Sequence, residues 1–111
     1  MSVLEQGDVI RVDFTPSVGH EPAKVRPAVV ASVYAFNAKS SLVMLIPITR
    51  TDSGYPMHIR VKGCGAIQGF ACIEQMQALD IQQRGFELLG SVDDRTLRSI
   101  MSRLRGIFAL R

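Results

Sequence analysis

Two short, unbroken apolar runs constrain this chain most: Ala28-Val29-Val30-Ala31 and Leu42-Val43-Met44-Leu45-Ile46. Runs of this length, rich in β-branched and aliphatic side chains, are expected of strands covered on both faces. They therefore belong at the centre of a sheet, and the rest of the chain must cover them. The first run is entered through Arg26-Pro27, so residues 26–33 are the predicted second strand. The second run leaves the sheet through Pro47-Ile48-Thr49, and the predicted third strand is 42–46.

The flanking segments carry strand signals of another kind. In residues 8–14, Ile10, Val12 and Phe14 alternate with Arg11 and Asp13, the period-2 pattern of a half-buried first strand. Thr15-Pro16 ends it, because proline has no N–H for the ladder. A loop of about nine residues, 17–25, follows, and loops of that length in small domains are often functional. Tyr34-Ala35-Phe36-Asn37 reads as a single helical turn. A turn at Asp52-Ser53-Gly54 precedes a fourth strand, 57–61, with one wet face. Residues 62–69, with three glycines, form a loose connection to a fifth strand at 70–74 that runs on through Gln75 and Met76. Residues 79–81 suggest a further short strand, and 85–89 an edge piece.

The last element is a helix. Ser91 or Asp93 can cap it, and Asp93-Asp94 oppose the positive dipole end in its first turn. Leu97, Ile100, Met101, Leu104, Ile107 and Phe108 fall on one face, and Arg95, Arg98, Ser99, Ser102 and Arg105 on the other. The fold class expected is mainly β with a C-terminal α-helix, a small, strongly bent sheet or barrel capped by that helix. Its 111 residues make one domain, 1–111, large enough for a single core.

With 47% hydrophobic and 21% charged residues the composition is globular and argues against extended disorder. No apolar run approaches a membrane span, and residues 1–6 carry no secretory pattern, so the cytosol is the expected compartment. In that compartment Cys64 and Cys72 are expected to be free thiols, a disulfide across a short hairpin being the alternative. No metal motif is visible, although His20 and His58 could converge in space. The net charge of +3 is compatible with nucleic acid without being diagnostic, and six arginines crowd the C-terminal third.

Several residues could carry chemistry. Arg26, held extended by Pro27, is placed either to grip a phosphate or a developing anion or to form a surface ion pair. Thr49 either orients a phosphate or water or caps a turn. His20, Glu21 and Lys24 share the long loop, where a histidine beside an acid can shuttle protons or simply be solvated. Glu74, if the fifth strand continues, shares a face with Cys72 and Phe70 and is an ion-pair partner or a base. The helix arginines form a solvated face or track a nucleic-acid backbone.

Taken together, these segments resemble the MazF/PemK family of toxin endoribonucleases. Gly7-Asp8-Val9-Ile10 with Val12-Asp13-Phe14 looks like that family's opening strand, and Thr15-Pro16 through Gly19-His20-Glu21 like its P-x-x-G-x-E loop. Arg26-Pro27-Ala28-Val29-Val30, then Phe36-Asn37, Pro47-Ile48-Thr49, Pro56, Glu74-Gln75 and Leu79-Asp80 follow in the family's order. The resemblance implies an SH3-like small barrel (PemK/CcdB-like) that pairs into a homodimer. It implies metal-independent, cofactor-free cleavage of single-stranded RNA to 2′,3′-cyclic phosphate and 5′-hydroxyl ends, and restraint by a cognate antitoxin, expected to be acidic and partly disordered. Arg26, Thr49 and Glu74 are then expected to be catalytic, and His20, Glu21, Lys24 and Gln75 to bind RNA. Where some members carry an arginine two residues before the acid, this chain has Cys72, which leaves the cationic role to Arg26. Two rivals remain: a CcdB-like gyrase poison, disfavoured by the lack of tryptophan, and an inactive relative that only binds RNA or antitoxin.

Overall fold

The two apolar runs do lie at the centre of a sheet. The structure, a computed structural model, describes residues 3–15, 24–65 and 67–110. Its strands are β1 (Asp8–Asp13), β2 (Val25–Val30), β3 (Leu42–Thr49), β4 (His58–Arg60), β5 (Phe70–Cys72), β6 (Gln77–Asp80) and β7 (Glu87–Ser91). The helices are α1 (Tyr34–Asn37), α2 (Ile81–Arg84) and α3 (Asp94–Ile107). All the strand pairings are antiparallel. The strand order is β4-β5-β3-β2-β1-β7, with β6 also on β3. The sheet is not closed among the described residues, since β4 and β7 end it without meeting. With extents of 35, 33 and 31 Å the molecule is nearly as deep as it is wide, so the sheet curls rather than lying flat, as in a small open barrel.

β3 is longer than the sequence suggests and includes Pro47. Its outer edge pairs with β6 from Leu42↔Asp80 to Leu45↔Gln77 and with β5 from Ile48↔Ala71. Ile46 and Pro47 fall between these two partners, at the place in the strand where a missing N–H costs least. β2 stops at Val30, short of the predicted end, because Val33 is already the N-cap position of α1.

Alternation along β2 and β3 divides the apolar side chains between two clusters. Val29, Ile46 and Ile48 pack with Val9, Ala71, Ile73 and Ile100 of α3 on one face. Ala28, Val30, Val43 and Leu45 pack with Leu4, Ile10, Val12, Leu79 and Ile81 on the other. The helix therefore covers one face only. Its cap is Asp93, whose Oδ1 accepts the Thr96 N–H at 2.8 Å, and not Ser91. Ile100 is fully buried, whereas Ile107 and Phe108 are 44% and 71% exposed, so the predicted apolar stripe is covered only along its first turns.

The fifth strand also differs from expectation. It ends at Cys72, and Ile73–Gln75 form a 3-10 turn before β6. Glu74 thus does not alternate with Cys72 and Phe70 as a strand residue would. The predicted strand at 79–81 is the end of β6, with Ile81 already in α2, and the edge piece is β7. Both cysteines are free and buried.

The wholly buried Asn37 ties the N-terminal segment to α1. Its Nδ2 donates to the Leu4 and Ser32 carbonyls, each at 3.0 Å, and its Oδ1 accepts from Ser32 Oγ. Ser32 Oγ in turn accepts the Met44 N–H of β3 at 3.1 Å. Asn37→Ala leaves these buried groups short of partners and is expected to lower the unfolding free energy by about 2–3 kcal/mol, measured by urea titration.

Candidate active site

Strand register brings Arg26 and Thr49 together. The β2–β3 ladder ends at Ala28↔Pro47, and its register carried two residues further sets Arg26 level with Thr49. Thr49 pairs with Phe70 of β5, and Phe70 with Arg60 of β4. Paired residues share a face, so these four form one row across β2, β3, β5 and β4. The row lies on the sheet face opposite α3, where the second apolar cluster runs out.

Cys72 sits one row in, on the same face. Burial pushes its thiol up and the Glu74 carboxylate adds to this, while Arg26 and a hydrogen bond from the Thr49 backbone oppose it. Burial wins, and at 1% exposure the group is a neutral thiol. It is also the point where the influences of Arg26, Thr49 and Glu74 meet. The sequence-predicted catalytic residues are therefore brought into one neighbourhood by residues they do not adjoin in the chain. No described residue is an ion-pair partner of Arg26, so its reading as a surface ion pair is not observed. Thr49 Oγ1 accepts the Thr51 N–H at 3.3 Å, the turn-capping role, and retains its own proton for donation.

Glu74 owes its place to a partner the sequence did not reveal. His58 Nε2 lies 2.8 Å from Glu74 Oε2, and His58 Nδ1 lies 3.1 Å from Ser53 Oγ. The Tyr55 ring stands edge-on to the imidazole, centroids 5.3 Å apart. Partial burial pushes Glu74 up, but the His58 hydrogen bond, the residue's own backbone N–H, the His58 ring's charge and the Gln75 side chain outweigh it. The carboxyl thus lies below the ordinary glutamate value, ionised at neutral pH. The signal that could have found His58 is the alternation of Met57-His58-Ile59-Arg60, which puts His58 and Arg60 on the wet face. Pairing of His58 with Cys72 then sets it two residues from Glu74.

Beside the row lies a cleft of about 510 Å³ lined by Arg50, Asp52, Arg60, Gln68, Gly69 and Phe70. A second, of about 320 Å³, shares Arg50 and Gln68 and adds Arg11, Val25, Pro27, Ile48 and Ile67. Arg26 and Thr49 line neither. The Arg60 guanidinium lies 4.9 Å from the centroid of the Phe70 ring, a flat cationic and aromatic surface suited to a nucleobase. Arg11 is paired with Glu87 at 2.8 Å, whereas no described residue pairs with Arg50 or Arg60.

Of the predicted RNA-binding residues, His20 and Glu21 lie outside the described residues. Lys24 is exposed, and its backbone N–H donates to Thr15 Oγ1 at 2.8 Å and Asp13 Oδ1 at 3.2 Å. Gln75 is exposed in the 3-10 turn, against Glu74. No group of three or more metal-ligating side chains occurs among the described residues, and the proposed meeting of His20 with His58 lies outside them.

Chemically, the neighbourhood offers a fixed cation, a hydroxyl, an ionised carboxylate and a basic cleft with a stacking surface. This is a small open β-barrel with arginines, a hydroxyl and a carboxylate gathered at one margin of its sheet. Residues 5–108 match the family described as PemK-like, MazF-like toxin of type II toxin-antitoxin system, and the chain belongs to that family. It is 33% identical over 102 residues to the endoribonuclease toxin MazF of Escherichia coli K12, covering 92% of this chain and 91% of that protein. It is 29% identical to the endoribonuclease toxin ChpB of the same strain, over 96% and 95% of the two chains. Among solved structures, a MazE–MazF crystal structure from Deinococcus radiodurans superposes with a TM-score of 0.88 at 26% identity, covering both chains completely.

Gly69 keeps Thr49 in line. Its φ of 145° and the 2.4 Å that would separate an added Cβ from the Thr49 carbonyl oxygen both exclude a side chain. Gly69→Ala is expected to cost about 1–3 kcal/mol of stability, read by denaturant titration. Gly65→Ala, with open space around it, should cost less.

Proposed function

We propose that this chain is a cytosolic toxin endoribonuclease that cleaves single-stranded RNA without a metal or other cofactor, acting as one MazF/PemK-like domain, 1–111. What supports the reading is the strand register that sets Arg26, Thr49 and Cys72 on one face, with Glu74 hydrogen-bonded to His58 opposite Cys72, beside a cleft holding Arg50 and Arg60. RNA follows the cleft past Arg50 and Arg60, with a base on Phe70.

Cleavage needs no metal in this scheme. Glu74 accepts the proton of the 2′-hydroxyl, and the 2′-oxygen bonds to the adjacent phosphorus. The bond from phosphorus to the 5′-oxygen breaks, that oxygen keeps the electron pair, and water protonates it. The products are a 2′,3′-cyclic phosphate and a 5′-hydroxyl. Arg26 balances the charge that builds on the phosphorane, and the Thr49 hydroxyl donates to a phosphoryl oxygen. Cys72 does not substitute for a cation, because its thiol is neutral. Loop residues His20, Glu21 and Lys24, with Gln75, contact the RNA.

The partners follow from the surface. Solved relatives from Deinococcus radiodurans are described as MazE–MazF complexes. We assign to this chain an acidic, partly disordered antitoxin whose carboxylates occupy the basic cleft. Exposed Tyr55, Ile107 and Phe108 supply apolar surface for pairing into a homodimer. No described helix is long and apolar enough to cross a membrane. The relatives' activity and the absence of tryptophan weigh against gyrase poisoning.

Purified protein incubated with single-stranded RNA in EDTA is expected to yield cyclic-phosphate ends, and Arg26→Ala to reduce the rate about 10²-fold or more. RNA left intact by the folded wild-type protein would rule out the ribonuclease reading. Sedimentation equilibrium at micromolar concentration is expected to give twice the 12.2 kDa chain mass.

A further inference from the structure

The chain Ser53–His58–Glu74 is a hydrogen-bonded relay that the roles assigned above leave half unused. Its two links, 3.1 and 2.8 Å, engage both ring nitrogens of His58. An ionised carboxylate only accepts, so the nitrogen facing it carries the proton: Nε2–H points at Glu74. Nδ1 faces the Ser53 hydroxyl, a group able to donate to it or accept from it, so both ring nitrogens are engaged.

The surroundings reinforce this arrangement. The Tyr55 ring stands at 79° to the imidazole and flanks it from the loop before β4. The His58 side chain is only 11% exposed, against 33% for Glu74, so the histidine is the sheltered member and the carboxylate faces outward. Cys72, opposite His58 in the strand register, presents a neutral thiol from β5. From β2, Arg26 acts on that same thiol, and from α3 the Arg103 guanidinium donates to the Pro56 carbonyl at 3.3 Å, two residues before His58. Among the described residues, no carboxylate other than Glu74 pairs with the imidazole.

We propose that His58 is a positioning residue for RNA cleavage: held by Ser53, it aims the Glu74 carboxylate, the base, at the 2′-hydroxyl. This rests on the ribonuclease reading and deepens it. The sheltered ring compensates for the fact that Glu74 stands on a 3-10 turn, where strand pairing does not hold its direction. The lowered titration of Glu74 is what such a donor produces.

Three variants test it: His58→Leu removes the donor, His58→Gln restores an N–H at a similar reach, and Ser53→Ala frees Nδ1. With folding checked by circular dichroism, the Glu74 side-chain carboxyl is followed by carbon-13 NMR across pH, and cleavage of a single-stranded RNA is measured in parallel. The expected result is an upward move of the Glu74 titration in His58→Leu and its return in His58→Gln. The same shift should carry the acid limb of the kcat profile to higher pH, because a weaker acid holds its proton longer. kcat should fall about tenfold or more in His58→Leu, part of what a general base contributes, with KM changed less than about twofold. Ser53→Ala should leave the Nε2–H on Glu74, visible by nitrogen-15 NMR, and lower kcat less than His58→Leu does. A Glu74 titration and a kcat that are both indifferent to His58→Leu would overturn the proposal while leaving the ribonuclease reading intact. A shifted titration in a protein whose wild type leaves RNA whole would instead sink the ribonuclease reading, and the catalytic role of His58 with it.

Discussion

The pairing of β3 along both of its edges is the constraint on which the rest of the structure depends. One edge holds β2, and the other passes from β6 to β5 within the strand. A strand whose two edges and two faces are all occupied must be apolar throughout, and Leu42 to Ile46 meets that demand. The change of partner falls at Ile46 and Pro47, where a proline is tolerated because no neighbour asks for its N–H. That change lets one strand serve two directions of the sheet. Its C-terminal end at Thr49 then lies between β2 and β5, where Arg26 and Phe70 can be reached.

The two faces of the sheet do different work. One is closed by α3, whose Ile100, Leu97, Met101 and Leu104 rest on the cluster around Val29, Ile46 and Ile48. The other is apolar only over the middle of β2 and β3, and it gives way to Arg26 and Thr49 as those strands leave the second cluster. A cation at that margin has its backbone fixed by a strand and a core while its head group stays accessible to a phosphate. The scaffold thus offers rigidity on one side of each candidate residue and solvent on the other.

Glu74 shows the limit of reading a site from strand alternation. Its neighbours Cys72 and Phe70 belong to a strand, but the chain turns at Ile73 and strand alternation no longer fixes the direction of the carboxylate, which stays near Cys72 by bonding to His58. What holds it is a side chain on another strand. Cys72 is buried and neutral, so the site's positive charge rests on Arg26 and on the arginines of the cleft.

Much of the fold was legible in the sequence. The first strand, the two central strands, the single turn at Tyr34–Asn37 and the long helix with Asp93 at its start follow from local rules: side-chain period, proline's missing donor and the helix dipole. Motif order alone joined Arg26, Thr49 and Glu74 in one proposal. The partner change inside β3, the 3-10 turn that carries Glu74, and the exposed end of α3 were not legible, because each depends on which strand lies alongside. The pairing of His58 with Glu74 is the sharpest case. A separation of 16 residues says nothing until register sets His58 opposite Cys72, and only the folded sheet decides register. Local chemistry determined which residues this chain could use, and tertiary pairing decided which of them stand within a hydrogen bond of one another.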